Sequence, residues 1–217
     1  IRKHKGIIAN PNCSTIGLVM CLYPLHKAAG LKRVVVSTYQ SVSGAGARAV
    51  QELNDQVKAY AAGKTLEVNK FPYQIAFNLI PHIDAFEPSG YTKEEMKMIN
   101  ETRKIMGDER IQVTATCVRV PVLYAHSESV AIETERPLTV EKARELLGKM
   151  PGVKVLDNPA RNEYPMPFYC GGKDDTFVGR IRKDESTKNG LTFWLVSDNL
   201  RKGAALNAVQ IAEHLIK

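Results

Sequence analysis

Residues 33–46, RVVVSTYQSVSGAG, join a run of strand-forming residues to a loop rich in glycine and serine. The first half, residues 33–39, is dominated by β-branched side chains, which is typical of a buried strand. The second half contains Gly44 and Gly46 but lacks the third glycine of the G-x-G-x-x-G motif of dinucleotide-binding domains. The stretch therefore predicts a buried strand and a loop, and a loop that merely needs flexibility is favoured over a phosphate-binding one.

Strands and helices mix along the rest of the chain without strict alternation. Helices are expected to begin near Cys13, Ala47, Thr92, Thr139 and Leu200, and further strands at residues 112–122, 127–133, 153–156, 177–182 and 191–197. A chain of this kind is expected to be α+β, with a mixed β-sheet and flanking helices.

Two of these helices carry local signals. Thr92 followed by Glu95 forms a capping box, which predicts that a helix begins after Thr92. The helix that follows Gly46 is expected to bury one apolar face, made of Ala47, Val50, Leu53 and Val57.

The composition limits the classes of function. The chain has 217 residues, which is enough for one sizeable core, and a net charge of +7 without a zinc finger, helix-turn-helix or RNA-binding aromatic motif. A phosphorylated substrate, a phosphate-bearing cofactor or mere solubility explains that charge better than nucleic acid. No stretch approaches the ~20 apolar residues of a membrane span. The four cysteines show neither paired spacing nor a metal-binding pattern, so a cytoplasmic location is expected.

The segment NPNCST, residues 10–15, places Cys13 at the start of the first predicted helix. Unpaired N–H groups and the dipole at a helix N-terminus favour a thiolate, which is the nucleophilic form of cysteine, and they would also hold an oxyanion. A buried and inert cysteine is an equally good interpretation of the segment by itself.

Arg119 and His126 flank Pro121. Residues seven apart on an ideal strand face opposite sides, but an irregularity at the proline would bring both to one side. His126 is a candidate general base, and a buried arginine in this strand needs a carboxylate or phosphate partner. The alternatives are an ordinary half-buried histidine and an internal salt bridge.

Glu101 and Lys104 are spaced i, i+3 on the helix after Thr92, on a stripe that Glu94 and Lys97 extend. The spacing alone favours a solvated helix face with weak ion pairs.

Six motifs occur together and span nearly the whole chain. They are residues 10–15 (NPNCST), 37–46 (STYQSVSGAG), 101–104 (ETRK), 117–121 with 126–129 (CVRVP and HSES), 178–182 (VGRIR) and 198–207 (DNLRKGAALN). In this order they resemble aspartate-β-semialdehyde dehydrogenases. The resemblance implies a fold like the C-terminal domain of glyceraldehyde-3-phosphate dehydrogenase.

The resemblance also implies a reaction, the NADP-dependent reductive dephosphorylation of β-aspartyl phosphate to aspartate semialdehyde and phosphate in amino-acid biosynthesis. The implied roles are a nucleophile (Cys13), an acid/base (His126), an orienting amide (Gln40), and residues that bind substrate (Asn12), its carboxylate (Arg119), its ammonium (Glu101) and its phosphate (Lys104). For the NADP cofactor the implied contacts are Ser43, Gly44, Ala45, Gly46 and Asn199.

Members of that family begin with a nucleotide-binding domain, which this sequence lacks, and the first residue, Ile1, also suggests the middle of a longer protein. We expect residues 1–199 to form a catalytic and dimerisation domain, and residues 200–217 a helix that packs on the missing domain. The chain is then a homodimer that is inactive alone. Two alternatives are a reductase of N-acetyl-γ-glutamyl phosphate, for which a glutamate at position 101 has no purpose, and a non-catalytic dimerising fragment.

Overall fold

A six-stranded mixed sheet forms the centre of the protein, in the order β2-β1-β3-β6-β5-β4. The computed structural model describes residues 1 and 3–216. β1 and β2 are parallel, as are β4 and β5, whereas β3 pairs with β1 and β6, and β6 with β5, in antiparallel fashion. The strands are β1 (Leu31–Gln40), β2 (Gln112–Arg119), β3 (His126–Thr134), β4 (Val153–Val155), β5 (Thr176–Asp184) and β6 (Gly190–Ser197). The α+β class with a mixed sheet and flanking helices is confirmed.

The helices lie between and after the strands. They are α1 (Cys13–Ala29), α2 (Ala47–Ala61), α3 (Lys93–Met106), α4 (Val140–Lys149), α5 (Pro167–Cys170) and α6 (Leu206–Ile216). Short 3₁₀ helices occur at Val42–Ala45 and Pro159–Arg161, and a π-helix at Arg201–Ala205 leads into α6. None of the helices in residues 1 and 3–216 is long and apolar enough to cross a membrane.

The core lies between one face of the sheet and helices α1, α3 and α4. Helix α1 is the main inner element, because Leu18, Leu22 and Leu25 are fully buried along it. On the opposite face the rings of Tyr39 and Trp194 lie 5.3 Å apart, and Ser129 is exposed. The sheet therefore has one face packed against helices and one face that is only partly covered.

Most predicted boundaries agree with the structure. Helix α1 begins at Cys13 and ends before Gly30, and both hydrogen bonds of the Thr92–Glu95 capping box are present at the start of α3. Strand β2 ends at Arg119 and not at residue 122, because the chain turns away before Pro121.

The predicted buried face of α2 is wrong in part. Leu53 is buried as expected, but Val57 is 42% exposed, and Glu52 and Gln56 are buried instead. Their side chains accept hydrogen bonds from backbone N–H groups of the following loop, for example from Asn69 to Glu52 at 3.1 Å. Glu52 and Gln56 therefore occupy the buried face of α2 in place of an apolar side chain, because the buried N–H groups of the loop need acceptors.

Candidate active site

The sheet brings Gln40, Arg119 and His126 to one end. Strand β1 lies between β2 and β3, with Gln40 opposite Arg119 and Tyr39 opposite Ser127. The connection of residues 120–125 crosses the end of β1, where Val120 N–H donates to the Gln40 carbonyl at 3.0 Å. Arg119 ends β2 and His126 begins β3, so the two residues lie on either side of the end of β1. The irregularity predicted near Pro121 makes this arrangement possible.

Cys13 is the first residue of α1, and Asn12 is its N-cap. The Asn12 side-chain oxygen accepts from the N–H groups of Ser14 and Thr15 at 3.0 and 3.2 Å, which accounts for two of the free donors of the helix. Helix α3 holds the cap from the other side. The Asn12 backbone N–H donates to Glu101 at 2.7 Å, and its amide nitrogen donates to Glu94 at 2.9 Å.

The helix terminus lowers the pKa of Cys13 as expected, but other groups outweigh it, so the expected net fall in the pKa is wrong for this chain. Burial raises the pKa of the Cys13 thiol to about 11, and the Glu94 carboxylate acts in the same direction. The Ser14 N–H and the Arg119 guanidinium lower it by less. Desolvation penalises the thiolate more than the helix end stabilises it, so Cys13 is a thiol at neutral pH.

His126 is fully enclosed. Its Nδ1 accepts from the Ser41 backbone N–H at 3.1 Å, so the neutral ring carries its proton on Nε2. The Nε2 atom is buried and has no hydrogen-bond partner in the described structure. Burial and the nearby Arg119 charge lower the pKa of His126 to about 3. The imidazole is thus neutral and offers one unused donor.

Arg119 is a buried cation. Its Nη1 donates to the Ser41 carbonyl at 2.7 Å, and no carboxylate of residues 1 or 3–216 forms an ion pair with it. Burial lowers the pKa of Arg119, whereas the Glu94 charge favours the protonated form. The internal salt bridge considered for this residue is therefore not formed, and the remaining N–H groups are available to an anion.

The predicted stripe on α3 divides into two unequal pairs. Glu94 is buried and accepts from Gln40 at 3.2 Å as well as from Asn12. Lys97 is exposed, pairs with Asp84 at 2.9 Å and lies 3.5 Å from Glu94. Glu101 is half-buried and contacts the Asn12 backbone, but Lys104 is exposed, with no ion pair in the described residues. The sequence predicts that Glu94 and Lys97 lie on this stripe, but within it the resemblance implies roles only for Glu101 and Lys104, which have the same spacing.

The predicted cofactor residues lie beside this site. The Ser43 hydroxyl and the Asn199 amide bond each other at 3.1 Å, and Asn199 also accepts from the Ala125 N–H at 3.0 Å. Ser43 and Gly46 line a cavity of about 300 Å³ together with Ala47, Val50, Gln51, Tyr124 and Leu200. This cavity has room for part of a dinucleotide. The Asn199 side chain, in contrast, is already hydrogen-bonded to other residues of the protein.

Comparison with known proteins now decides the family. The family model described as semialdehyde dehydrogenase, dimerisation domain, matches residues 22–202. The chain belongs to this family. The resemblance seen in the sequence motifs is thereby confirmed.

The semialdehyde dehydrogenase relatives extend beyond this chain. Aspartate-semialdehyde dehydrogenase of Aquifex aeolicus is 62% identical over 216 residues, which are 99% of this chain and 64% of that protein. The enzyme of that name from Bacillus subtilis is 56% identical and matches 100% of this chain and 65% of its own length. The chain thus spans less than two thirds of these curated relatives.

Solved semialdehyde dehydrogenase structures share the fold. Aspartate semialdehyde dehydrogenase II from Vibrio cholerae, complexed with ASA, matches with a TM-score of 0.94 and 49% identity over 97% of this chain and 62% of its own. The Candida albicans enzyme, solved with NADP, matches with a TM-score of 0.70 and 28% identity over 95% of this chain and 56% of its own.

Proposed function

We propose that this chain is the catalytic and dimerisation part of an NADP-dependent aspartate-semialdehyde dehydrogenase. One observation carries the proposal. A buried guanidinium with no carboxylate partner among residues 1 and 3–216, Arg119, lies at the same end of the sheet as a histidine whose Nε2–H is unused within those residues, His126. Cys13, at a helix N-terminus, is electrostatically coupled to Arg119. A nucleophile, an anion site and a hydrogen-bond donor together suit acyl transfer on an anionic substrate.

The chemistry assigned to Cys13 is the formation of a thioester. Its sulfur attacks the acyl carbon of β-aspartyl phosphate, the bond from carbon to the phosphate oxygen breaks, and inorganic phosphate leaves together with the proton of the thiol. The unused Nε2–H of His126 would donate to the developing oxyanion once substrate binding opens the enclosed space around it. To accept a proton at Nε2 the ring must shift its proton to Nδ1, and Ser41 must then release that atom.

The α-carboxylate of the substrate is assigned to Arg119, and its ammonium to Glu94 or to Glu101. Glu94 is favoured, because its charge acts on both Cys13 and Arg119. An ammonium at Glu94 would also neutralise the carboxylate that raises the pKa of Cys13, so substrate binding itself would promote the thiolate. Lys97 is favoured over Lys104 for the phosphate because it lies 3.5 Å from Glu94, and it would leave its ion pair with Asp84 to bind the anion.

NADP is assigned to the loop of Ser43, Gly44, Ala45 and Gly46, with Asn199 holding that loop in place. The fit is partial, since the adjoining cavity measures about 300 Å³ and the rest of a dinucleotide would need another domain. When bound, NADPH supplies the hydride that reduces the thioester. The loop residues and Asn199 keep Ser41 against His126, because Ser41 Oγ donates to Asn199 at 3.1 Å.

The two assembly surfaces remain proposals. The partly covered sheet face around Tyr39, Ser129 and Trp194 is assigned to a second copy, in keeping with the dimerisation-domain family. Helix α6, where Val209 is 55% and Ile216 is 85% exposed, is assigned to the nucleotide-binding domain. Residues 1–199 and 200–217 then have separate roles, and the chain alone is not expected to turn over substrate with NADP.

Acylation of the purified chain tests the proposal without the cofactor. Incubation with β-aspartyl phosphate is expected to add one aspartyl group to Cys13, detected by intact mass and peptide mapping. The variant Cys13→Ser is expected to show none. Acylation that is equally fast with N-acetyl-γ-glutamyl phosphate would favour the reductase of that substrate, and no acylation with either would favour a non-catalytic dimerising fragment.

A further inference from the structure

Gly44 lies against the two charged or polar groups of the site, Arg119 and His126. A Cβ atom built on Gly44 would be 2.9 Å from Arg119 Nη1 and 3.1 Å from both His126 Nε2 and Cε1. The first distance is closer than real Cβ atoms approach another heavy atom. The backbone of Gly44 is outside the left-handed region, so its conformation does not itself require glycine.

The loop that carries Gly44 has little room to retreat. The Val42 N–H donates to the Val122 carbonyl at 2.9 Å, and the Ser43 N–H donates to the Leu123 carbonyl at 3.2 Å. The Val42 side chain is fully buried, and the Ser43 hydroxyl is bonded to Asn199. A side chain at position 44 would therefore displace its neighbours rather than the loop.

Of the two neighbours, Arg119 is the one that would move. His126 begins strand β3, and the Ser41 N–H holds its ring at Nδ1. Arg119 Nη1 is the end of a flexible side chain, held in the described residues by one hydrogen bond, to the Ser41 carbonyl. A methyl group at position 44 would thus push the guanidinium off Ser41 and shift the imidazole by less.

We propose that Gly44 is a positioning residue, whose missing side chain seats the Arg119 guanidinium beside His126 for recognition of the substrate carboxylate. This inference rests on the proposed function for the role of Arg119, but not for the contact itself. It gives Gly44 a role apart from contact with a cofactor.

The first experiment measures anion recognition at Cys13. The rates of alkylation by iodoacetate and by iodoacetamide are compared at one pH, since the two reagents differ in a carboxylate. The ratio of the iodoacetate rate to the iodoacetamide rate is expected to fall several-fold in Gly44→Ala and in Arg119→Gln. It is expected to stay unchanged in Gly148→Ala. Gly148 is a matched control in α4, where the nearest atom to an added Cβ is 3.8 Å away.

If the ratio in Gly44→Ala equals that of the parent while the ratio in Arg119→Gln is reduced, the positioning role of Gly44 is overturned. If the ratio in Arg119→Gln equals that of the parent, the carboxylate site of the proposed function is contradicted instead.

The second experiment tests the contact independently of substrate. The Gly44→Ala change is made in the parent and in the Arg119→Gln background, where the shorter side chain leaves space. The urea midpoint is expected to fall in the parent background and to change little in the second one. Equal losses in both backgrounds would overturn the proposal. If Gly44→Ala alone does not fold, folding of the double variant supports the contact, and failure of both overturns it.

Discussion

The first and third turns of α3 carry the same pattern, a glutamate followed three residues later by a lysine. Glu94 in the first turn is buried and accepts from Asn12 and Gln40, whereas Glu101 in the third is half-buried and contacts one backbone N–H. Both lysines are exposed, but Lys97 pairs with Asp84 at 2.9 Å and lies 3.5 Å from Glu94, whereas Lys104 has no ion pair in the described part of the chain. Identical spacing on one helix thus places one glutamate inside the site and the other at its edge.

The difference arises from what α3 packs against. Its N-terminal turn points at the end of β1 and at the N-cap of α1, and the capping box fixes where that turn begins. The functional value of a charged residue therefore depends on the neighbouring elements, which the spacing of charges along one helix does not encode.

The largest expected effect comes from removing the charge of the first turn. Glu94→Gln is expected to slow acylation of Cys13 by β-aspartyl phosphate on the order of 10–100-fold, because a lost charge-assisted pair costs about 1.5–3 kcal/mol. The measurement is the rate of acylation by mass spectrometry. Glu101→Gln is the matched control, and a larger loss in Glu101→Gln would reverse the assignment of the two pairs.

The buried histidine of the site also predicts a pH dependence of stability. The pKa of His126 is about 3 in the folded chain, below the ordinary value of 6.5. Between these values the unfolded chain binds a proton that the folded chain does not, so stability falls as pH falls from 6.5 to 3. This contribution is about 1.4 kcal/mol per pH unit.

Urea unfolding at several pH values gives the free energy of unfolding as a function of pH for the parent and for His126→Gln. The variant should lose the part of the pH dependence that arises from His126. Glu101→Gln should keep it, since Glu101 lies at the edge of the site. A variant His126→Gln with the slope of the parent would contradict the buried neutral imidazole.

Much of the fold, and part of the site, could be predicted from the sequence. Local signals located the start of α1 at Cys13 and the capping box at Thr92, because caps depend on a few adjacent residues. The pKa of Cys13 and the difference between Glu94 and Glu101 could not be predicted. Both depend on burial and on contacts between α1, α3 and β1, which only the folded chain defines.

The third turn is expected to matter more for stability than for chemistry. Glu101→Ala removes the acceptor of the Asn12 N–H at 2.7 Å, which should lower the free energy of unfolding by about 1 kcal/mol. Equilibrium urea unfolding measures this loss. An unchanged midpoint would show that the contact contributes nothing to the anchoring of α1.

The smallest effects are expected for the two lysines. Inorganic phosphate should slow alkylation of Cys13 in the parent, and Lys97→Met should weaken this protection several-fold by removing one cation of the site. Lys104→Met should leave it unchanged, because Lys104 lies in the third turn of α3, away from Glu94. Protection that disappears in Lys104→Met and persists in Lys97→Met would assign the phosphate to the third turn.

The pH dependence of Cys13 alkylation tests most directly the claim that the first turn of α3 faces the nucleophile. Burial and Glu94 raise the pKa of Cys13 to about 11, and Glu101 is not among the groups that shift it. Iodoacetamide rates between neutral and alkaline pH should give a lower pKa for Glu94→Gln than for the parent, and an unchanged one for Glu101→Gln. A pKa that falls in Glu101→Gln but not in Glu94→Gln would contradict the account.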